Sequence, residues 1–186
     1  MSRSAFSNDT MKTGSLPLGC GILEESEAVM EYKLVEFPET RVVGMCDRIE
    51  STTGECSLKI PNLWRAMLGA PMGQALTPEG RINEIEDRAT EPFDMYAIYC
   101  NYDYSVWEYD AIVGCAAESS IPEGMVEFTI PAGTYARFDV TPDTMNAAWD
   151  VIYGPDFPRG DVADFEAYSV DADGNRSCTI YSSVRA

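Results

Sequence analysis

The chain has no histidine, so acid–base chemistry falls to its carboxylates, tyrosines and cysteines. Glu166 is the most informative carboxylate, inside the strand-like run Asp164-Phe-Glu-Ala-Tyr-Ser-Val170. Period-two alternation puts Phe165 and Ala167 on one side of that strand and Glu166 and Tyr168 on the other. Two readings of Glu166 stand. It is a surface carboxylate on a half-exposed strand, as most Glu residues are. Or it is a buried carboxylate, which is costly unless a cation or hydrogen bonds compensate it.

Aromatic residues are the second ingredient. Tyr96, Tyr99, Tyr102, Tyr104, Trp107 and Tyr109 crowd into one predicted hairpin. If the strand runs that far, alternation puts Tyr96, Tyr102 and Tyr104 on one face and Tyr99 on the other. Planar rings with phenol hydroxyls suit a flat cation through stacking and cation–π contact, and they equally suit ordinary packing. Trp64 and Trp149 lie in amphipathic helical segments, where a Trp serves as core or as pocket wall.

Other chemistries are excluded or weakly supported. Without histidine there is no Ser-His-Asp or Cys-His arrangement, no His-ligated haem and no His-containing zinc site. The six cysteines show no C-x-x-C pair, and several sit in apolar strand-like runs, so they read as reduced structural thiols. The acidic group Glu84, Glu86, Asp87 and Glu91 is interspersed with Arg81 and Arg88 and reads as a solvated loop. Asp171-Ala-Asp-Gly174 reads as a hairpin turn. No metal and no cofactor are expected. Asp plus Glu number 31 against 13 Lys plus Arg, a net charge of −18. That balance argues against direct nucleic-acid binding, which needs clustered basic residues. Neither a signal peptide nor an apolar run of membrane-spanning length is visible. A cytoplasmic protein without membrane contact is expected.

These side chains must be positioned by elements whose order repeats. Residues 31–46 read as strand, turn and strand, followed by a helix starting at Pro61 and stopping at Gly69. Strands follow at 94–102 and 107–118. Residues 125–140 again give strand, Pro-containing turn and strand, and a helix over 142–153 follows, capped by Asp143 or Thr144. Strands at 164–170 and 177–184 complete the second set. Phe37-Pro38 and Ile130-Pro131 open matching turns, and Trp64 and Trp149 lie on matching helices. The prediction is an α+β fold: duplicated ββαββ modules, with an antiparallel sheet and two helices around a central ligand groove. Residues 1–28 are expected to be a flexible arm, and 29–186 a single domain with halves at about 29–118 and 121–186. Gly44 and Gly114, inside strand runs, suggest bulges or close backbone approach.

The segments Tyr32-Lys-Leu-Val-Glu-Phe-Pro38, Val43-Gly44, Ile60-Pro-Asn-Leu-Trp64 and Ile98-Tyr-Cys-Asn-Tyr102-Asp carry a family resemblance. So do Val113-Gly-Cys-Ala-Ala, Ile130-Pro-Ala-Gly-Thr-Tyr-Ala136, Trp149-Asp-Val-Ile-Tyr and Asp164-Phe-Glu166-Ala-Tyr168. In that order, from about residue 31 to the end, the chain resembles the GyrI-like effector-binding domain. That module is the ligand-binding part of many multidrug-responsive bacterial transcription regulators, AraC-type ones among them. Where many members carry Trp-Leu-Pro, this chain has Phe157-Pro158. The resemblance implies a pocket between the modules for a hydrophobic, cationic aromatic compound, with Glu166 meeting its charge. Tyr168, Trp149, Tyr102, Tyr104, Trp107, Tyr109 and Trp64 are the candidate ligand contacts beside it. With no helix-turn-helix pattern in residues 1–30, the expected form is a stand-alone sensor or sequestering module, with a regulator or other protein as a candidate partner. Two alternatives come with the resemblance. One is a hydrolase of electrophilic compounds in which Glu166 directs a water and a tyrosine such as Tyr168 acts as acid. The other is an acidic inhibitor of a DNA-binding partner, in the manner of the gyrase-directed members.

Overall fold

The computed structural model describes residues 30–89, 93–118, 120–173 and 175–185; the predicted arm at 1–28 lies outside the described residues. The first half supplies β1 (Lys33–Phe37), β2 (Thr40–Glu50), α1 (Cys56–Leu68), β3 (Met95–Asp103) and β4 (Glu108–Ala116). The second supplies β5 (Val126–Ile130), β6 (Gly133–Val140), α2 (Met145–Ile152), β7 (Arg159–Val170) and β8 (Arg176–Val184). The fold is α+β, and the predicted ββαββ order occurs twice.

All eight strands form one antiparallel sheet in the order β1-β6-β8-β7-β3-β4-β2-β5. That order is symmetric about the β7–β3 junction. Each half contributes its first strand to the other half: β1 pairs with β6, and β5 pairs with β2. The sheet also curls. Phe37 on β1 and Phe165 on β7 are three strand steps apart, about 14 Å in a flat sheet, yet their ring centroids are 4.9 Å apart. Phe37, Ile98, Ile112, Ile130, Tyr135, Phe165 and Tyr181 fill the inside of this curl. The two Pro-turn motifs therefore deliver Phe37 and Ile130 from opposite edges of the sheet into one core. Gly44 and Gly114 face each other across β2 and β4 in unbroken register. A Cβ on either would lie 2.2 Å from the opposite strand's carbonyl oxygen. Close approach, not a bulge, explains both glycines.

The other face of the sheet carries the helices. Leu63, Trp64, Met67 and Leu68 of α1 pack on Val43, Ile49, Ala111 and Val113 of β2 and β4. Ala148 and Ile152 of α2 pack on Ala136, Phe138 and Ile180 of β6 and β8. Each large apolar side chain contributes about 1.5–3 kcal/mol by leaving water. The helices cover the two flanks, so the central strands β3 and β7 form the floor between them.

Helix α1 starts at Cys56, not at Pro61 as expected. Glu55 closes the entry: its carboxylate accepts the Glu50 N–H at 2.7 Å and the Lys59 ammonium at 2.8 Å. Pro61 is tolerated inside because it and Ser57, whose carbonyl loses its helical donor, are both solvent-exposed. Gly69 ends the helix in the left-handed region at φ 69°. Thr144 occupies the α2 N-cap position but makes no side-chain capping bond; its hydroxyl oxygen instead accepts the Thr141 N–H at 2.9 Å. No described helix is long and apolar enough to cross a membrane.

Candidate functional site

Between α1 and α2, above β3 and β7, lies a groove of about 850 Å³. Trp64 and Leu68 of α1, Met145 of α2, Met95 of β3 and Tyr168 of β7 are among its walls, with Arg88, Asp94 and Arg176 as its charged groups. The size and apolar lining suit a drug-sized molecule.

Glu166 is 5% exposed and receives three hydrogen bonds. The Tyr99 hydroxyl donates to Oε1 at 3.3 Å, the Trp149 indole N–H donates to Oε1 at 3.2 Å, and the Tyr168 hydroxyl donates to Oε2. All three donors are neutral. Among the described residues, no lysine or arginine forms an ion pair with Glu166. Burial pushes the Glu166 carboxyl above the ordinary carboxylate range, and the three donors pull it back. Burial, and then the Glu166 charge, push the Tyr99 and Tyr168 phenols far up, so both remain donors at neutral pH. Tyr168 joins carboxylate and groove: its hydroxyl holds Glu166, while its ring lines the groove and meets Trp64 edge-on at 5.0 Å.

A second carboxylate lies two residues earlier. Asp164 is fully buried and receives the Tyr102 hydroxyl and the Arg159 Nε–H, each at 2.8 Å, together with Arg159 Nη2 and the Ser182 hydroxyl. The Arg159 guanidinium lies 4.4 Å from the Tyr102 ring centroid and 4.8 Å from that of Tyr153. A register break between Cys100 and Asp103, with Asn101 at φ 52°, carries Tyr102 to the helix side of the sheet. Strict alternation would have left it with Tyr96, which sits in the opposite core.

Trp149 and Tyr168 hydrogen-bond Glu166, and Trp64 reaches it only through the ring of Tyr168. Trp64 and Tyr168 line the groove, whereas Glu166 and Trp149 lie behind Tyr168 and are not among its lining residues. Tyr102 serves Asp164, and Tyr109 touches the rings of both Tyr99 and Tyr102, at 6.0 and 5.9 Å. Tyr104 stacks on Tyr102, donates to Asp161 at 3.1 Å and is half-exposed. Trp107 is 59% exposed at the tip of the hairpin and is not among the groove-lining residues. Sequence reading missed Arg159, Asp164 and Tyr153, and it did not assign Tyr99 to Glu166. Only Asp164 left a signal, its position two residues before Glu166 on the same strand face. Among the described residues no group of potential ligands is arranged to hold a metal ion, and Glu84 of the acidic loop is paired with Arg81 at 2.8 Å.

A search of curated proteins finds no match to the chain. Solved structures share its fold. An integron cassette protein from the mobile metagenome of Vibrio cholerae is 22% identical with a TM-score of 0.58, over 83% of this chain and 95% of that one. A putative transcription regulation protein from Staphylococcus aureus is 14% identical with a TM-score of 0.60, over 84% and 99%. SAV2435, solved bound to tetraphenylphosphonium, is 15% identical with a TM-score of 0.64, over 84% and 95%. The family model for Cass2, the integron-associated effector binding protein, matches residues 33–184. The chain therefore belongs to the Cass2 family of integron-associated effector binding proteins, and it is a GyrI-like effector-binding domain.

Proposed function

We propose that this effector-binding domain takes up a hydrophobic, cationic aromatic small molecule in the groove between α1 and α2, with Glu166 as the charge partner. The observation that carries this reading is a buried carboxylate with neutral hydrogen-bond donors and no ion pair among the described residues. Burying a charge without a counter-charge is costly, and a cation arriving in the groove relieves that cost. The tetraphenylphosphonium on SAV2435 supports the same chemistry by fold likeness. Trp64 and Met145 supply apolar contact, and Trp149, Tyr99 and Tyr168 supply ring faces and hydroxyls. The net charge of −18 draws cations toward the molecule. In this reading the protein acts in the cytoplasm as a sensor or sequestering module, alone or beside a regulator.

Titrating the protein with planar cationic dyes and with tetraphenylphosphonium, followed by tryptophan fluorescence, tests this. Binding in the micromolar range, about −8 kcal/mol, is expected for the wild type and at least tenfold weaker binding for Glu166→Gln. Absence of cation binding by the wild type, or equal binding by the variant, overturns the reading. Consumption of the ligand by the wild type and not by Glu166→Gln would assign the carboxylate to hydrolysis instead.

A further inference from the structure

Arg159 is held the way a receptor holds a guest. Its guanidinium lies over the faces of both Tyr102 and Tyr153, and its N–H groups meet a fully buried carboxylate that Tyr102 and Ser182 also bind. Two ring faces and a carboxylate form a recognition set for any planar, delocalised cation, whether or not it is tethered to the chain. The same set reaches the Glu166 site. Tyr153 stacks at 5.7 Å on Trp149, and Trp149 donates to Glu166. Asp164 and Glu166 share one face of β7, two residues or about 7 Å apart along the strand.

Arg159 also has somewhere to go. It is one wall of a shallow open cleft of about 420 Å³, completed by Tyr104, Asp161 and Arg185. Asp161 is exposed there and loosely paired with Arg185 at 3.7 Å, so it offers a second carboxylate to a guanidinium leaving Asp164. Arg159 pairs with Val184, and the β7–β8 register breaks between it and Asp164, so an irregular segment separates the arginine from the ladder that carries its carboxylate partner. Exchanging one cation for another keeps Asp164 paired throughout, so the exchange avoids the large cost of an unpaired buried charge.

We propose that the cage of Tyr102, Tyr153 and Asp164 is a second cation subsite, occupied by Arg159 in the free protein. Its ligand is the amidinium or guanidinium end of a compact dication whose charged ends span the roughly 7 Å between Asp164 and Glu166, the other end meeting Glu166. The bridging part rests on the Glu166 reading; the cage part does not.

Two probes separate the parts. Tetraphenylphosphonium has no N–H groups and no planar charged end, so it reports on Glu166 alone. An aromatic bis-amidine reports on both sites. Arg159→Gln is expected to bind the bis-amidine at least tenfold tighter than the wild type does and the phosphonium within about twofold. Adding Asp164→Asn is expected to cancel that gain. Methylguanidinium at millimolar concentration is expected to raise the melting temperature of Arg159→Gln, but not that of Arg159→Gln/Asp164→Asn. Should Arg159→Gln fail to fold, the wild type carries the test through its preference for the bis-amidine over the matching mono-amidine, lost in Asp164→Asn. Equal affinity for the two amidines in the wild type, or a bis-amidine gain that survives Asp164→Asn, overturns the proposal. Loss of phosphonium binding with the methylguanidinium effect intact would be failure of the Glu166 reading alone.

Discussion

Asp164 and Glu166 occupy the same face of one strand, both are buried and both collect tyrosine hydroxyls, yet they differ in one respect. Asp164 is neutralised by an arginine of its own chain, five residues earlier. Glu166 receives hydrogen bonds only from neutral groups. Asp164 is complete within the fold, and removing Arg159 would break a satisfied pair. Glu166 has three hydrogen-bond donors and no counter-charge among the described residues. The contrast separates a carboxylate whose counter-charge is already supplied by the chain, so that a ligand must displace Arg159 to reach it, from one with no counter-charge among the described residues.

The strongest way to break the contrast is Arg159→Ala. It strands a buried carboxylate and is expected to destabilise by about 3–5 kcal/mol, a fall of roughly 10 °C in melting temperature at this chain length. A loss below about 1 kcal/mol would mean that Asp164 is not dependent on its partner. Tyr168→Phe comes next. It removes one of three donors from Glu166, and a loss of about 1–3 kcal/mol is expected in urea unfolding, together with a further rise of the Glu166 pKa.

Glu166→Gln probes the other side with opposite sign. Because the folded-state pKa of Glu166 is raised, the unfolded chain ionises first as pH rises. Stability is complete below the ordinary carboxylate pKa and falls as pH climbs to the raised value, then levels off. The Gln variant is expected to lose this component and to match or exceed the wild type at neutral pH by about 1 kcal/mol, or 2–4 °C. Cation affinity in the wild type should run the other way, strengthening as Glu166 ionises. A Gln variant several kcal/mol less stable at neutral pH would show that Glu166 is structural. The smallest effect is expected at Trp107→Ala: within about 0.5 kcal/mol in stability, with cation affinity unchanged by fluorescence titration. A large loss of affinity there would extend the site to the hairpin tip.

Much of the fold was legible because local chemistry announces it. The Phe37-Pro38 and Ile130-Pro131 turns, the alternating strands and the apolar spacing of α2 gave the repeated element order. The start of α1 was not legible, because a proline marks a first turn by statistics, whereas here Glu55 and solvent exposure let the helix begin earlier. The face of Tyr102 was lost to the break at Asn101, which alternation alone cannot anticipate. Glu166 stood out as a charge in an aromatic strand. Arg159 did not, because nothing local marks an arginine in a Pro-Arg-Gly segment as the partner of Asp164.

The sequence by itself determined the element order, the absence of histidine chemistry and the side of β7 that Glu166 and Tyr168 share, since all of these follow from composition and a period of two. Tertiary structure decided which half each first strand joins, where the groove opens, and which of two neighbouring carboxylates is paired. Strand exchange, curl and ion pairing are contacts between residues far apart in the chain or across an irregular segment. Their free energies depend on burial and distance, which a linear pattern does not encode.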